Sequence, residues 1–379
     1  MPVHALIRKY KWMVLLLATF NQCKKPYEPA VLKAGNNYLV VDGFINTTAG
    51  GITNVILSRT KNLTDTVITI PERNAKINIE SAGGAQYALH EQGEGNYNSN
   101  ALALAGNTNY RLVITTSNGS RYQSDFVSAR QTPAIDSVTW QRDDGVSIFV
   151  NTHDPANKTR FYRWQYVETW EYHSKLETPW GVSNGIIFVR TPQQMLNICY
   201  NTTASADILL GSSAALSQDV ISEKLLTIIP QNDSTLHYRM SILVKQYALT
   251  PEAYFYWQII QKNSTQLGTL FDLQPSQLNG NIHSITNNTE PVVGFVSANT
   301  LQEKRIFIDY TDLPDWRPPP STYDCTITAI DAHANFLIYD YPDPDYTPYY
   351  FSGPILMIAK KTCLDCTLSG GTTVKPSFW

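Results

Sequence analysis

Charge is scarce in this chain: Asp, Glu, Lys and Arg together make up 16% of its 379 residues, against roughly a quarter in an average soluble protein. The formal net charge of −3 supplies no long-range attraction to a polyanion, which sets nucleic-acid binding aside. Histidine is sparse as well, 7 in all, with no His-Glu-x-x-His and no pair at ligand spacing, so metalloprotease chemistry has no support. Internal repeats and heptads are missing, and no long apolar run follows the first twenty residues. No residue set defines a reaction. Catalytic, cofactor-binding and metal-binding residues are therefore not assigned. With so few charges, the polar surface must come from Asn, Thr, Ser and Gln, and 22 Tyr and 8 Trp add an aromatic one. That profile fits an extracytoplasmic β-protein.

The first residues read as an export signal over 1–22. Arg8, Lys9 and Lys11 precede an apolar stretch at 12–20 that is too short to span a bilayer. Cys23 follows closely, where a bacterial lipoprotein is cleaved and acylated, so Cys23 is the expected lipid attachment point. Phe20, Asn21 and Gln22 depart from the usual residues before such a cysteine, which leaves a secreted chain or an uncleaved anchor as alternatives. Residues 23–36, punctuated by Pro26 and Pro29, read as a lipid-anchored tether.

From 37 to 130, the segments 38–43, 54–59, 75–80, 87–90 and 110–115 place apolar side chains at every second position. Gly83-Gly84 and Asn118-Gly119 supply turns. Short, evenly spaced strands of this kind predict a β-sandwich. Residues 131–379 predict a second β-rich domain, with strands at 135–140, 146–150, 160–172, 238–247, 291–296, 304–309 and 354–359. A helix is expected near 251–263: Thr250 can cap it, Pro251 suits its first turn, Glu252 meets its positive end, and Ala253, Tyr256, Trp257 and Ile260 share a face. Along 160–172, Tyr162, Trp164, Tyr166, Glu168, Trp170 and Tyr172 point one way, and Phe161, Arg163, Gln165, Val167, Thr169 and Glu171 the other. The aromatic ladder is expected in the core or against the helix. The fold class is mainly β, with two β-sandwich (immunoglobulin-like) domains, the second carrying an inserted α-helix.

Four cysteines remain beyond Cys23: Cys199, Cys325, Cys363 and Cys366. In an oxidising compartment they are disulfide candidates, with three complete pairings open. A link from Cys199 or Cys325 to the C-terminal tail would staple it to the second domain; Cys363–Cys366 would be a local clip. A redox-active Cys-x-x-Cys needs a helix N-terminus to hold the thiolate, and the glycine-rich tail offers none. Glu168 and Glu171 cannot flank one bond from opposite faces of a strand; Glu168 is expected to be hydrogen-bonded in the interior and Glu171 solvated. Residues 339–350 hold too many prolines for a regular strand and read as an exposed recognition loop carrying Tyr339, Tyr341, Tyr346, Tyr349 and Tyr350.

Cys23 to Tyr27, Val40-Val41-Asp42-Gly43, the run from Tyr166 to Tyr172, the run from Ser241 to Tyr247 with its helix, Phe271 to Gln277, and the ending from Cys363 to Trp379 together resemble the Bacteroidetes lipoproteins grouped as domain of unknown function 4249. The resemblance covers nearly the whole mature chain. It implies an outer-membrane lipoprotein, often encoded beside a TonB-dependent receptor, with no established catalytic residues. The expected role is a non-enzymatic binding or accessory partner of such a receptor, anchored on the periplasmic or the cell-surface face and needing no cofactor. A structural or adhesive surface protein, or a hydrolase with a site assembled from distant segments, is the alternative.

Overall fold

The computed structural model describes residues 37–60, 70–265, 280–317, 324–331 and 345–379. The expected signal peptide, Cys23 and its tether, together with Tyr339 and Tyr341, lie outside the described residues. The protein is mainly β, with curled sheets.

The first sheet has 13 strands. Its antiparallel run passes from Asn109–Thr115 through Lys76–Ser81, Gln86–Gly93, Asn96–Ser99 and Asn54–Arg59 to Leu39–Gly43. Period-two alternation sets its inner face: Leu39, Val41, Val55, Leu57, Ile77, Ile79, Leu112 and Ile114 are all buried. Three members come from much later in the chain. Ile282–Ser284 pairs antiparallel with Arg121–Ser124. Val293–Gly294 pairs parallel with Leu39–Gly43, and Ala298–Asn299 lies parallel to both Ile45–Asn46 and Val127–Arg130. Ile282, Val292, Val296 and Ala298 sit in the same core as Leu39 and Ile114. The expected division at residue 130 is thus corrected, because 282–299 completes the first unit and does not belong to the second. Strands of two or three residues have no readable period, and a parallel partner some 250 residues away leaves no local trace.

The second unit packs two antiparallel sheets over one core. One sheet holds Ile135–Arg142, Gly145–His153 and Val220–Pro230. The other holds Ile198–Ala204, Phe161–His173, Arg239–Ala248 and Gln302–Asp309, with Leu209–Ser212 beside the start of the long strand. Val146, Ile148 and Val150 face Tyr162, Trp164, Ile242 and Val244 across it. Tyr162, Trp164 and Tyr166 of the aromatic ladder are therefore core, and Trp170 packs against it. Trp164 is fully buried, and its Nε1 donates to Gln246 Oε1 at 2.8 Å. Gln246 in turn donates to Pro133 O and Thr152 Oγ1 at 2.8 and 3.0 Å, tying the connection between the units into the interior. A helix, Pro251–Thr265, lies on the opposite face of the long strand. Thr250 Oγ1 accepts from Ala253 N at its start, Ala253 and Tyr256 are buried, and Tyr254 packs on Phe161 with ring centroids 4.9 Å apart.

A third, smaller sheet contains Thr328–Asp331, Ile355–Lys360 and Tyr346–Ser352. It shares a core with the hairpin Trp180–Ser183/Ile186–Val189 through Ile187, Leu356 and Ile358. Residues 346–350 are thus strand, where the proline content predicted loop. Pro348 is tolerated because its strand is at the sheet edge, and the pairing register shifts between Pro348 and Tyr350. Among the described residues, no helix is long and apolar enough to cross a membrane.

Candidate functional site

The two larger units meet where Leu39–Gly43 runs out beside the long strand and the helix. Gly43 is held at φ +151°, where a Cβ would stand 2.6 Å from Asn54 O, and the chain turns there to bring Phe44 edge-on to Tyr247 at 4.9 Å. From the second unit come Arg163 and Gln165 on the long strand, Lys245 and Tyr247 on its neighbour, and Trp257 on the helix; Phe295 comes from the returning segment. These residues line a partly open cavity of about 310 Å³. An adjoining cavity of about 410 Å³ shares Asp42, Arg163, Gln165, Ser205 and Trp257 and adds Asp207, Tyr256 and Ile260. Both volumes lie in the range of small-ligand sites.

Arg163 stands between the two cavities. Its guanidinium lies 3.7 Å above the Trp257 ring, a cation–π contact. Its Nε is sealed from solvent and has no hydrogen-bond partner among the described residues, while the residue as a whole is only half-buried and lines both hollows. Burial pulls its pKa down, with Asp42 and Tyr247 acting the other way; a guanidinium remains charged nonetheless. Burial also pushes the Tyr247 phenol up to about 12, so it stays protonated and donates to Gln165 Oε1 at 2.9 Å. Lys245 is engaged with Glu303 at 3.4 Å. The arrangement can hold a ligand with an anionic edge and an apolar body. Among the described residues it presents no nucleophile–base pair.

A wider hollow of about 780 Å³ follows the connection between the units, lined by Arg130, Pro133, Asp136, His153 and Lys158 among others. His153 Nδ1 lies 2.8 and 2.9 Å from the Asp136 oxygens, and that hydrogen bond raises its pKa. Both side chains are open to solvent.

The cysteines pair as Cys199–Cys366 and Cys325–Cys363, each with Cα atoms 5.8 Å apart. Both bonds staple the tail, and the local clip does not form. Tyr172 adds a hydrogen bond to Cys366 O at 2.8 Å. Of the tyrosines assigned to recognition, Tyr346 packs against the third core, Tyr349 is half-buried with its ring 4.9 Å from that of Tyr350, and Tyr350 is 41% exposed. Glu171 is paired and only partly exposed: His173 Nε2 donates to it at 2.8 Å and Trp379 Nε1 at 3.3 Å. Glu168, half-buried, makes no side-chain hydrogen bond among the described residues, against expectation. Among the described residues no three His, Cys, Asp or Glu side chains cluster to hold a metal.

Sequence reasoning passed over two features. Gly181-Val182-Ser183-Asn184-Gly185 fits Gly-x-Ser-x-Gly, the pattern of a serine nucleophile elbow. The structure places it in a two-residue hairpin turn, with Asn184 and Gly185 at φ +50° and +77°. An elbow needs a strand-to-helix turn, so the pattern is a hairpin here. The second feature is Arg163 itself. An arginine on a strand face otherwise bearing Phe161, Gln165 and Val167 was the available signal, but its meeting with Trp257 was not written in any local spacing.

The fold and the junction define a disulfide-stapled, mainly β protein with a polar–aromatic pocket between its units. The chain belongs to the family described as Domain of unknown function (DUF4249), which it matches over residues 24–305. No protein of curated function matches it. Among solved structures, a DUF4785 family protein of Legionella pneumophila is 11% identical, with a TM-score of 0.17 over 55% of this chain and 52% of that one. The BSP domain of a biofilm associated protein is 9% identical, with a TM-score of 0.15 over 72% of this chain and 59% of that one. The chain thus aligns with only about half the length of the first of these. Likenesses at such scores establish neither fold nor function.

Proposed function

We propose that the protein is an exported lipoprotein, acylated at Cys23, that serves as a non-enzymatic binding partner of a TonB-dependent receptor in the outer membrane. In this reading its two larger units are immunoglobulin-like sandwiches, the helix is an insertion in the second, and the pocket between them receives a ligand. The observation that carries the binding role is the junction itself: Arg163 and Trp257 line a partly open cavity with no nucleophile–base pair beside them among the described residues. Family membership over residues 24–305 supports the cellular setting through the resemblance. The receptor-facing surface is assigned to the third unit, where Tyr350, Ile186 and Val189 are exposed. Affinity isolation of the tagged protein from native membranes tests this. Co-isolation of a TonB-dependent receptor with an acylated Cys23 is expected, and recovery of a free, unlipidated chain overturns it.

A further inference from the structure

We infer that the junction pocket binds a small monoanionic carboxylate, whose oxygens take the free edge of the Arg163 guanidinium while its body lies against the aromatic wall. The inference rests on the binding role proposed above and names its ligand class.

Three observations lead there. First, Arg163 lacks what comparable arginines of this protein have. Arg59 Nε donates to Glu72 at 2.6 Å, and Arg111 Nε to Glu80 at 2.7 Å. Arg163 Nε is sealed and has no partner among the described residues. Buried polar groups are nearly always hydrogen-bonded, and leaving one unmet costs stability. The Nε atoms of Arg130 and Arg239 are also without hydrogen bonds. Arg239, however, has Asp309 at 3.4 Å and the rings of Phe307 and Trp379 over it, and Arg130 lines the hollow along the connection. Of the three, only Arg163 lines both junction cavities.

Second, geometry selects the shape of the ligand's head. The flat face of the guanidinium is taken by Trp257 at 3.7 Å and its Nε is sealed, which leaves the two terminal Nη groups for a planar, bidentate partner. The same cavity is lined by the aromatic Phe44, Tyr247 and Phe295 and by the polar Gln165 and Asn54.

Third, the lining charges select a single negative charge. Among the described residues Arg163 makes no close ion pair, Asp42 acting on it from farther off, whereas Lys245 already meets Glu303. Asp42 lines both cavities and Asp207 the second. A phosphate dianion would face both of these carboxylates with one guanidinium to offset them. A carboxylate matches the site.

The test is titration of the folded protein with benzoate and with glucuronate, each against its neutral amide, followed through the side-chain Nε–H resonance of Arg163. Inorganic phosphate is titrated alongside. The expected result is a saturable shift with at least one carboxylate, roughly tenfold to a hundredfold weaker binding of its amide, and no saturable response to phosphate. Arg163→Gln should lose the carboxylate, and Arg163→Lys should recover part of it. If Arg163→Gln does not fold, the acid–amide comparison on the wild-type protein decides alone. Equal affinity for acid and amide, no shift with either carboxylate, or tighter binding of phosphate overturns the inference. Receptor co-isolation without carboxylate binding would remove this inference and leave the accessory role. Carboxylate binding without a receptor would do the reverse.

Discussion

Glu168 lies on the ladder side of the long strand, between Tyr166 and Trp170, and among the described residues its carboxyl has no hydrogen-bond partner to offset its burial. Burial first, and Asp233 nearby second, raise its pKa. The sign follows from linkage. A carboxyl whose folded-state pKa lies above its unfolded value binds its proton more tightly in the folded chain, so stability falls as pH rises from the unfolded value, about 4.3, through the raised one. At neutral pH the charged side chain is a cost that an amide would not carry. Glu168→Gln should therefore raise the melting temperature at pH 7, with the gain shrinking as pH falls toward the ordinary glutamate range. Paired melts of both proteins from acid to neutral pH check this. A gain that does not depend on pH would contradict the account. The sequence placed Glu168 on the ladder side, because alternation is a backbone property. It gave no means of seeing that a hydrogen bond would be missing, since partners come from other segments.

At the scale of elements, legibility followed pattern length. The strand expected at 54–59 is Asn54–Arg59, and that expected at 160–172 is Phe161–His173, since several alternating residues leave little doubt about period. The returning segment had no such pattern. Val293–Gly294 earns its place in the first sheet by close approach: Gly294 sits at φ +149°, and a Cβ there would lie 2.4 Å from Val41 O. Both strain and contact oppose a side chain at this position. Gly294→Ala should cost about 1–3 kcal/mol, with faster amide exchange in Leu39–Gly43, its parallel partner. Exchange that speeds up only in the second unit would show that this strand does not hold the first sheet together. Pro348 carries the converse lesson. A proline marks a break in a central strand, but the sequence does not say which strands are edges.

Across the whole molecule, the tail is where chemistry and packing meet. Cys199–Cys366 closes a sequence separation of 167, and around it Phe378 lies under the Arg305 guanidinium at 3.5 Å while Trp379 sits edge-on to Tyr200 at 5.2 Å. Converting Cys199 and Cys366 together to serine should lower stability by about 2–5 kcal/mol through the freed unfolded chain, read as a drop in the urea midpoint. An unchanged midpoint would mean that the rings and hydrogen bonds hold the tail alone. The sequence supplied the four cysteines and the reason to pair them, and three-dimensional proximity chose among three pairings. It likewise supplied Arg163 and Trp257 separately, on a strand and on a helix 94 positions apart, and only the packing of the helix on that strand face makes them a site.

The measurement that bears most directly on the central claim is quantitative affinity isolation from native membranes in mild detergent, with mass spectrometry of the mature N-terminus and of every co-isolated protein. An accessory lipoprotein should come out with an acylated Cys23 as its first residue and a TonB-dependent receptor in near-equal amount. A chain recovered alone and without lipid would contradict both the anchor and the partnership.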